Sequence, residues 1–253
     1  MPAKSYLIDM DGVIVHGKRP IPGAAEFIEK LKAGGHKFLV LTNNSKYTPQ
    51  DLAHRLEEAG LAVGPDNIFS SAMATAHFVS SQKAGGSAYV VGETGLFQAL
   101  HEVQYHLTEY NPDVVILGEM ESYPYEKLIA AMRHILRGVP FIATNPDVAG
   151  PSEAGMVPAC GAVSALIEKA SGYHPYFVGK PNPLIMRLAL RHLNEHSENA
   201  VMVGDNMETD IKVGLESGME TILVLSGVTS RESISRYPYR PNHILESVAD
   251  ITP

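Results

Sequence analysis

The chain has 253 residues, 45% of them hydrophobic, enough to form one large core or two modest ones without staples. Its single cysteine, Cys160, excludes an internal disulfide, suits a reducing cytoplasm and reads as a small buried hydrophobe. A formal net charge of −8 with no long Lys/Arg run excludes general binding to nucleic acid polymers or an anionic membrane, so an anionic ligand would need locally placed cations.

No apolar run reaches the roughly 18 residues of a membrane helix, and Asp9 and Asp11 interrupt the N-terminal stretch before a signal-peptide core can form. A soluble, unprocessed, cytoplasmic protein is the expectation, with self-association left open. Short apolar runs then recur along the chain: Tyr6 to Ile8, Phe38 to Leu41, Tyr89 to Val91, Val114 to Leu117, Phe141 to Ala143, Val201 to Val203 and Ile222 to Leu225. Each is followed by a turn and a helical pattern. Strands apolar throughout are buried on both faces, which predicts an α/β fold with a largely parallel sheet flanked by helices.

Helix starts are signalled at Thr48-Pro49, ahead of Leu52 and Leu56, and at Pro183, ahead of Leu184, Ile185 and Leu188. Further helices are expected over Tyr125 to Arg137 and Gly161 to Ala170. Ser80 to Gly86 and Ser171 to Pro175 have linker composition. They divide the chain into residues 1–82 and 177–253, forming one core, and residues 83–176, forming an inserted domain with its own strands and helices.

Aspartates collect where the apolar runs end. Asp9 and Asp11 follow the first, Thr42, Asn43 and Asn44 end or follow the second, and Asp205 follows VMV with Asp210 five residues on. Ligands of open α/β sheets bind at the carboxyl ends of the strands, so these residues are expected to share one polar mouth. Carboxylates gathered in one mouth repel each other unless a hard cation joins them. Magnesium suits a sparse set of aspartates, whereas an EF-hand calcium loop fails because Gly12 falls at position 4 when Asp9 is position 1.

A carboxylate can also act as a nucleophile, forming an aspartyl phosphate that splits a slow hydrolysis into two easier steps. Asp9 is placed for that role, and Asp11 for giving a proton to the leaving alkoxide and later taking one from water. Lys180, in VGKPNP, supplies the fixed cation such chemistry needs, and Thr42 and Asn43 supply donors. Against this stands the ordinary use of Asp and Asn in turns and helix caps.

The strings DMDGV, LTNNS, VGKPNP and GDNMETD, in that order, resemble the four signature positions of the haloacid dehalogenase superfamily. SSAMATA, FIATNPD, PACGA and TILVLSGV look like its NagD subfamily of phosphatases, so the resemblance runs over almost the whole chain. It implies a Rossmann-like core built from both chain ends and an inserted α/β cap that selects substrate. By the same resemblance, magnesium would be held by Asp9, the backbone carbonyl of Asp11, and Asp205. Asp210 would orient metal-bound water or Lys180. Phosphate would be held by Thr42, Asn43, Asn44, Lys180 and groups around Asn206.

Asn145, Asp147 and the loop from Val148 to Pro158 are the expected substrate-facing parts of the cap, although Asn145-Pro146-Asp147 also reads as a plain turn. The implied substrates are small phosphorylated metabolites, with nucleoside monophosphates favoured over sugar phosphates, phosphoglycolate or pyridoxal phosphate. Dehalogenases of this kind lack the second aspartate, since a halide leaves without a proton, so Asp11 favours a phosphatase. The rival reading is a catalytically silent binding or regulatory module on the same fold. His192, Glu195 and His196 spell the HxxEH order of a zinc protease, but Leu184 and Leu188 on the same line favour a packing stripe. VVGETG lacks the third glycine of a dinucleotide fingerprint and reads as a helix start.

Overall fold

A computed structural model describes residues 4–152 and 155–253. The chain divides into two compact units, one of Met1–Thr42, Pro49–Phe69 and Lys180–Pro253, the other of Asn43–Thr48 and Ser70–Gly179.

The first unit is built on a six-stranded sheet in the spatial order His243–Leu245, Glu220–Val224, Ala200–Gly204, Ser5–Ile8, Phe38–Thr42 and Ile68–Ser70. The first five run parallel to their neighbours. Ser5–Ile8, Phe38–Thr42 and Ala200–Gly204 are buried along their whole length, as strands covered on both faces must be. The covering helices show the matching periodicity. Ala24–Ala33 buries Ala24, Phe27, Ile28 and Leu31, which are three and four residues apart and form one stripe. Pro183–Leu193 starts where Asn182 Oδ1 accepts from the Leu184 N–H at 3.0 Å with Pro183 in the first turn. It stops at Asn194, whose φ of 51° is left-handed.

The second unit carries a five-stranded parallel sheet in the order Tyr176–Phe177, Phe141–Ala143, Val114–Leu117, Ser87–Val91 and His106–Leu107. Its helices are Ser71–Gln82, Thr94–Glu102, Tyr125–Leu136 and Cys160–Ser171. Tyr89, Val115, Leu117, Leu128, Ile135, Phe141 and Ile167 form its core, and Cys160 lies among them. Burial pushes the Cys160 thiol up to about 11, so it is a packing residue and not a nucleophile.

Two local expectations change. Ser80 to Gln82 belong to the helix Ser71–Gln82, where Ser81 Oγ donates back to the Phe78 carbonyl at 2.6 Å, and the whole helix groups with the second unit. The stretch from Val148 to Pro158, expected as a loop, forms an antiparallel pair of Ala149–Ser152 and Gly155–Pro158. Residues 153 and 154 of that stretch lie outside the described residues. Among the described residues, no helix is long and apolar enough to cross a membrane.

Candidate active site

From the central strand Ser5–Ile8 the chain builds the sheet outward on one side through Phe38–Thr42 and Ile68–Ser70. It then returns to build the other side through Ala200–Gly204, Glu220–Val224 and His243–Leu245. The order therefore reverses beside Ser5–Ile8, and such a reversal opens a crevice at the carboxyl ends of the strands. Asp9 stands at that point, its N–H donating to the Val203 carbonyl at 2.9 Å. Asp205 follows the neighbouring strand, and Thr42 ends the strand on the other side.

Lys180 is only 3% exposed, and its ammonium donates to Asp9 Oδ1 at 2.6 Å, to Asp210 Oδ1 at 2.7 Å and to the Leu41 carbonyl at 3.2 Å. Burial alone would lower its pKa, but Asp210 and then Asp9 more than reverse this and hold it well above the usual lysine range. Asp9 moves in the opposite sense for a carboxylate. Burial, opposed by Lys180 but reinforced by Asp210 and Asp205, raises it well above its ordinary value. The two directions share one cause. A single ammonium faces three carboxylates, so it stays charged while the surplus negative charge makes ionising Asp9 and Asp205 costly.

Asp9, Asp205 and Asp210 each offer an oxygen, and these oxygens lie within 4.8 Å of one another. With Lys180 counted, three ionised carboxylates leave a net charge of −2 in a largely buried pocket. An all-oxygen donor set with that surplus fits a hard divalent cation. Asp210 is fully buried, and its oxygens accept from Lys180 and from the Asn206 N–H at 3.2 Å. It sits in a π-type turn, Met207–Ile211, a widened helical geometry frequent at functional sites. The Asn206 side chain caps that turn by accepting from the Glu208 N–H at 2.9 Å.

Asp205 is held by backbone that carries no motif of its own. The Val228 N–H donates to Asp205 Oδ2 at 2.6 Å, and the Thr229 N–H donates to the Asp205 carbonyl at 3.0 Å. Burial and Asp210 raise the Asp205 carboxyl to about 6 against the lowering effect of the Val228 N–H. Two glycines make room for it. A Cβ at Gly227 would lie 1.9 Å from Asp205 Oδ2, and one at Gly12, where φ is +83°, would lie 2.4 Å from the same atom. Gly227→Ala is therefore expected to push the carboxylate off the Val228 N–H and to cost about 1–3 kcal/mol in urea unfolding. Gly64→Ala, with nothing within 4 Å of its Cβ, should be neutral. Equal stability of the two variants would contradict this packing.

The Asp11 side chain reaches solvent, yet the protein around it raises its carboxyl despite the opposing charges of Arg55, Lys180 and His16. A raised value keeps the acid protonated to higher pH, which suits a proton donor.

The predicted residues of the second unit form their own cluster. Asn43 Nδ2 donates to Asp147 Oδ2 at 3.1 Å, Asn145 Nδ2 to the Asn43 carbonyl at 2.8 Å, and the Asp147 N–H to Asn145 Oδ1 at 3.1 Å. Asn44 has a local task, because its Oδ1 accepts from the N–H groups of Lys46 and Tyr47 at 3.1 and 3.0 Å.

The HxxEH string does not assemble. His192 packs against Phe69 with ring centroids 5.5 Å apart, Glu195 pairs with Lys37 at 2.8 Å, and His196 lies beyond the end of the helix. In VVGETG the strand ends at Val91 and the helix Thr94–Glu102 begins, as a helix start requires.

A family model described as haloacid dehalogenase-like hydrolase matches residues 6–106, and a second, HAD-hydrolase-like, matches residues 177–251. The chain is 51% identical over 247 residues to a dihydroxyacetone phosphatase of Corynebacterium glutamicum, covering 98% of this chain and 90% of that one. It is 48% identical over 252 residues to the ribonucleotide monophosphatase NagD of Escherichia coli K12, covering 99% of each. The solved structure of NagD from E. coli K-12 superposes with a TM-score of 0.94 at 46% identity, over 100% of this chain and 99% of that one. With the aspartates and Lys180 gathered at the switch point of the core sheet, these matches show that the chain belongs to the haloacid dehalogenase-like hydrolases, in their NagD-like branch.

Proposed function

We propose that the protein is a magnesium-dependent phosphomonoesterase acting on small phosphorylated metabolites through an aspartyl-phosphate intermediate on Asp9. The observation that carries this reading is the Lys180 ammonium bridging Asp9 and Asp210 beside Asp205 at the sheet's switch point. The relatives named above support the phosphatase class, and their differing substrates make nucleoside monophosphates and dihydroxyacetone phosphate the first candidates.

Asp9, Asp205 and the backbone carbonyl of Asp11 would hold the metal, with Asp210 fixing Lys180. When bound, the divalent ion neutralises negative charge on phosphate oxygens. The Asp9 carboxylate attacks phosphorus and the ester P–O bond breaks, while Asp11 passes its proton to the departing alkoxide. Water then attacks phosphorus, gives its proton to Asp11, and restores the Asp9 carboxylate. The Lys180 ammonium would supply positive charge, and the Thr42 hydroxyl a donor, to the oxygens on which charge concentrates. The inserted unit would select the leaving group, with Asn145 and Asp147 as its candidate contacts.

The test is release of inorganic phosphate from p-nitrophenyl phosphate, nucleoside monophosphates, dihydroxyacetone phosphate and sugar phosphates, with magnesium or with a chelator. Magnesium-dependent turnover supports the reading. Stoichiometric binding without turnover would point instead to a silent binding module. Asp11→Asn should lose about 10²-fold or more with alkyl phosphates and much less with p-nitrophenyl phosphate, whose phenolate leaves without a proton. Equal losses on both would remove Asp11 from protonating the leaving group.

A further inference from the structure

The segment Asn43–Thr48 follows the core strand Phe38–Thr42 and precedes the helix Pro49–Glu58, yet it packs as part of the inserted unit. Its partners lie just beyond the carboxyl ends of three parallel strands of that unit. Past Ser87–Val91, the Gly95 N–H donates to the Lys46 carbonyl at 2.9 Å. Past Val114–Leu117, Glu119 meets Ser45, and past Phe141–Ala143, Thr144 and Asn145 meet Ser45 and Asn43. The carboxyl ends of a parallel sheet are where α/β folds take a ligand. Here the chain's own strap fills that place.

The attachment is specific. The Ser45 N–H donates to Glu119 Oε2 at 2.8 Å, and the Glu119 N–H donates to Ser45 Oγ at 2.9 Å, closing a reciprocal clasp. Thr144 Oγ1 donates to the same hydroxyl at 2.9 Å, and Ser45 and Thr144 are both fully buried. Two donors fix the Asn43 carbonyl: Ser71 Oγ at 2.5 Å and Asn145 Nδ2 at 2.8 Å. Because the peptide unit is planar, fixing that carbonyl fixes the whole Asn43–Asn44 plane. Gly95 confirms the tightness of the seat, since a Cβ there would lie 2.3 Å from the Tyr47 carbonyl oxygen.

We propose that Ser45 and Glu119 are positioning residues for phosphate binding. Their clasp anchors the strap and so orders the adjoining Thr42, which the proposed function uses as a donor to the transferring phosphoryl group. This rests on the phosphatase reading above. Neither residue needs to touch substrate. Loosening the clasp leaves every phosphate-binding side chain in place but adds freedom that binding must then remove. The effect should fall on the phosphate common to all substrates and spare leaving-group preference.

The experiment compares Glu119→Ala, Glu119→Gln and Ser45→Ala by the inhibition constant of inorganic phosphate. It also measures kcat/KM for p-nitrophenyl phosphate and for a nucleoside monophosphate. Glu119→Ala and Ser45→Ala should each weaken inorganic phosphate by about tenfold and lower both kcat/KM values by the same factor. Glu119→Gln keeps an oxygen that accepts from the Ser45 N–H and should stay within about twofold of wild type. Unchanged phosphate affinity in both alanine variants would overturn the inference. So would a loss in Glu119→Gln equal to that in Glu119→Ala, or a loss confined to one substrate, which would mean that Glu119 itself meets substrate. Absence of turnover in the unsubstituted protein would overturn the phosphatase reading, and this inference with it.

Discussion

Lys180→Met is expected to abolish turnover and to lower folding stability by about 3–5 kcal/mol at pH 7, the range for breaking one side of a buried ion pair. Methionine fills much of the same volume, so the loss would report charge and not shape. Without the ammonium, Asp9, Asp205 and Asp210 face one another with no compensating charge. The deficit should depend on pH in a defined direction. Asp205 titrates at about 6 in the fold, above the roughly 3.9 of an unfolded aspartate. A carboxyl raised by folding favours the folded state at low pH, and that contribution disappears as pH rises through the folded value. Removing Lys180, which lowers both Asp9 and Asp205, raises these two carboxyls further, so the difference from wild type should shrink as pH falls from 7 towards 5. Urea unfolding at the two pH values measures it. A deficit that is absent, or that grows on acidification, would contradict the charge balance described above.

Asp9→Asn is expected to lower turnover by more than about 10³-fold while leaving the fold intact. The amide keeps the size of the carboxyl and can still accept from Lys180, which retains Asp210 at 2.7 Å. Because burial raises the Asp9 carboxyl well above its usual value, removing its charge also removes repulsion from Asp210 and Asp205. The variant should therefore unfold at the same urea concentration as wild type or slightly higher when magnesium is absent. Steady-state phosphate release together with unfolding curves decides the matter. Retained turnover would move the nucleophile elsewhere, and loss of both turnover and stability would make Asp9 structural.

Much of the sheet was legible because a strand buried on both faces must be apolar along its length. Tyr6 to Ile8, Phe38 to Leu41 and Val201 to Val203 all lie within strands of the central sheet. The edge strands were not. His243–Leu245 is partly exposed and starts on a histidine, while Ile68–Ser70 is only three residues long and runs straight into a helix. Serine-rich composition suggested a linker at Ser80, but the helix there tolerates serine because Ser81 bonds back to its own preceding turn. Asp9, Lys180 and Asp205 could be picked out because charged residues that follow apolar runs stand at or just past strand ends, whereas Asp210 sits inside the turn Met207–Ile211 and stood out through the string GDNMETD. Their support was hidden. The Val228 N–H that holds Asp205 is a backbone group, and Gly227 matters only through the side chain it lacks. The Ser45–Glu119 clasp joins residues 74 positions apart, a pairing that periodicity cannot reveal.

A covalent phosphoryl group on Asp9 is detected by acid-quenched single turnover with phosphate-labelled substrate, followed by peptide mapping of wild type and Asp9→Asn. Label is expected on the peptide containing Asp9, removable by hydroxylamine and missing from the variant. Turnover by the wild type with no label at any quench time, or label on a different residue, would contradict it.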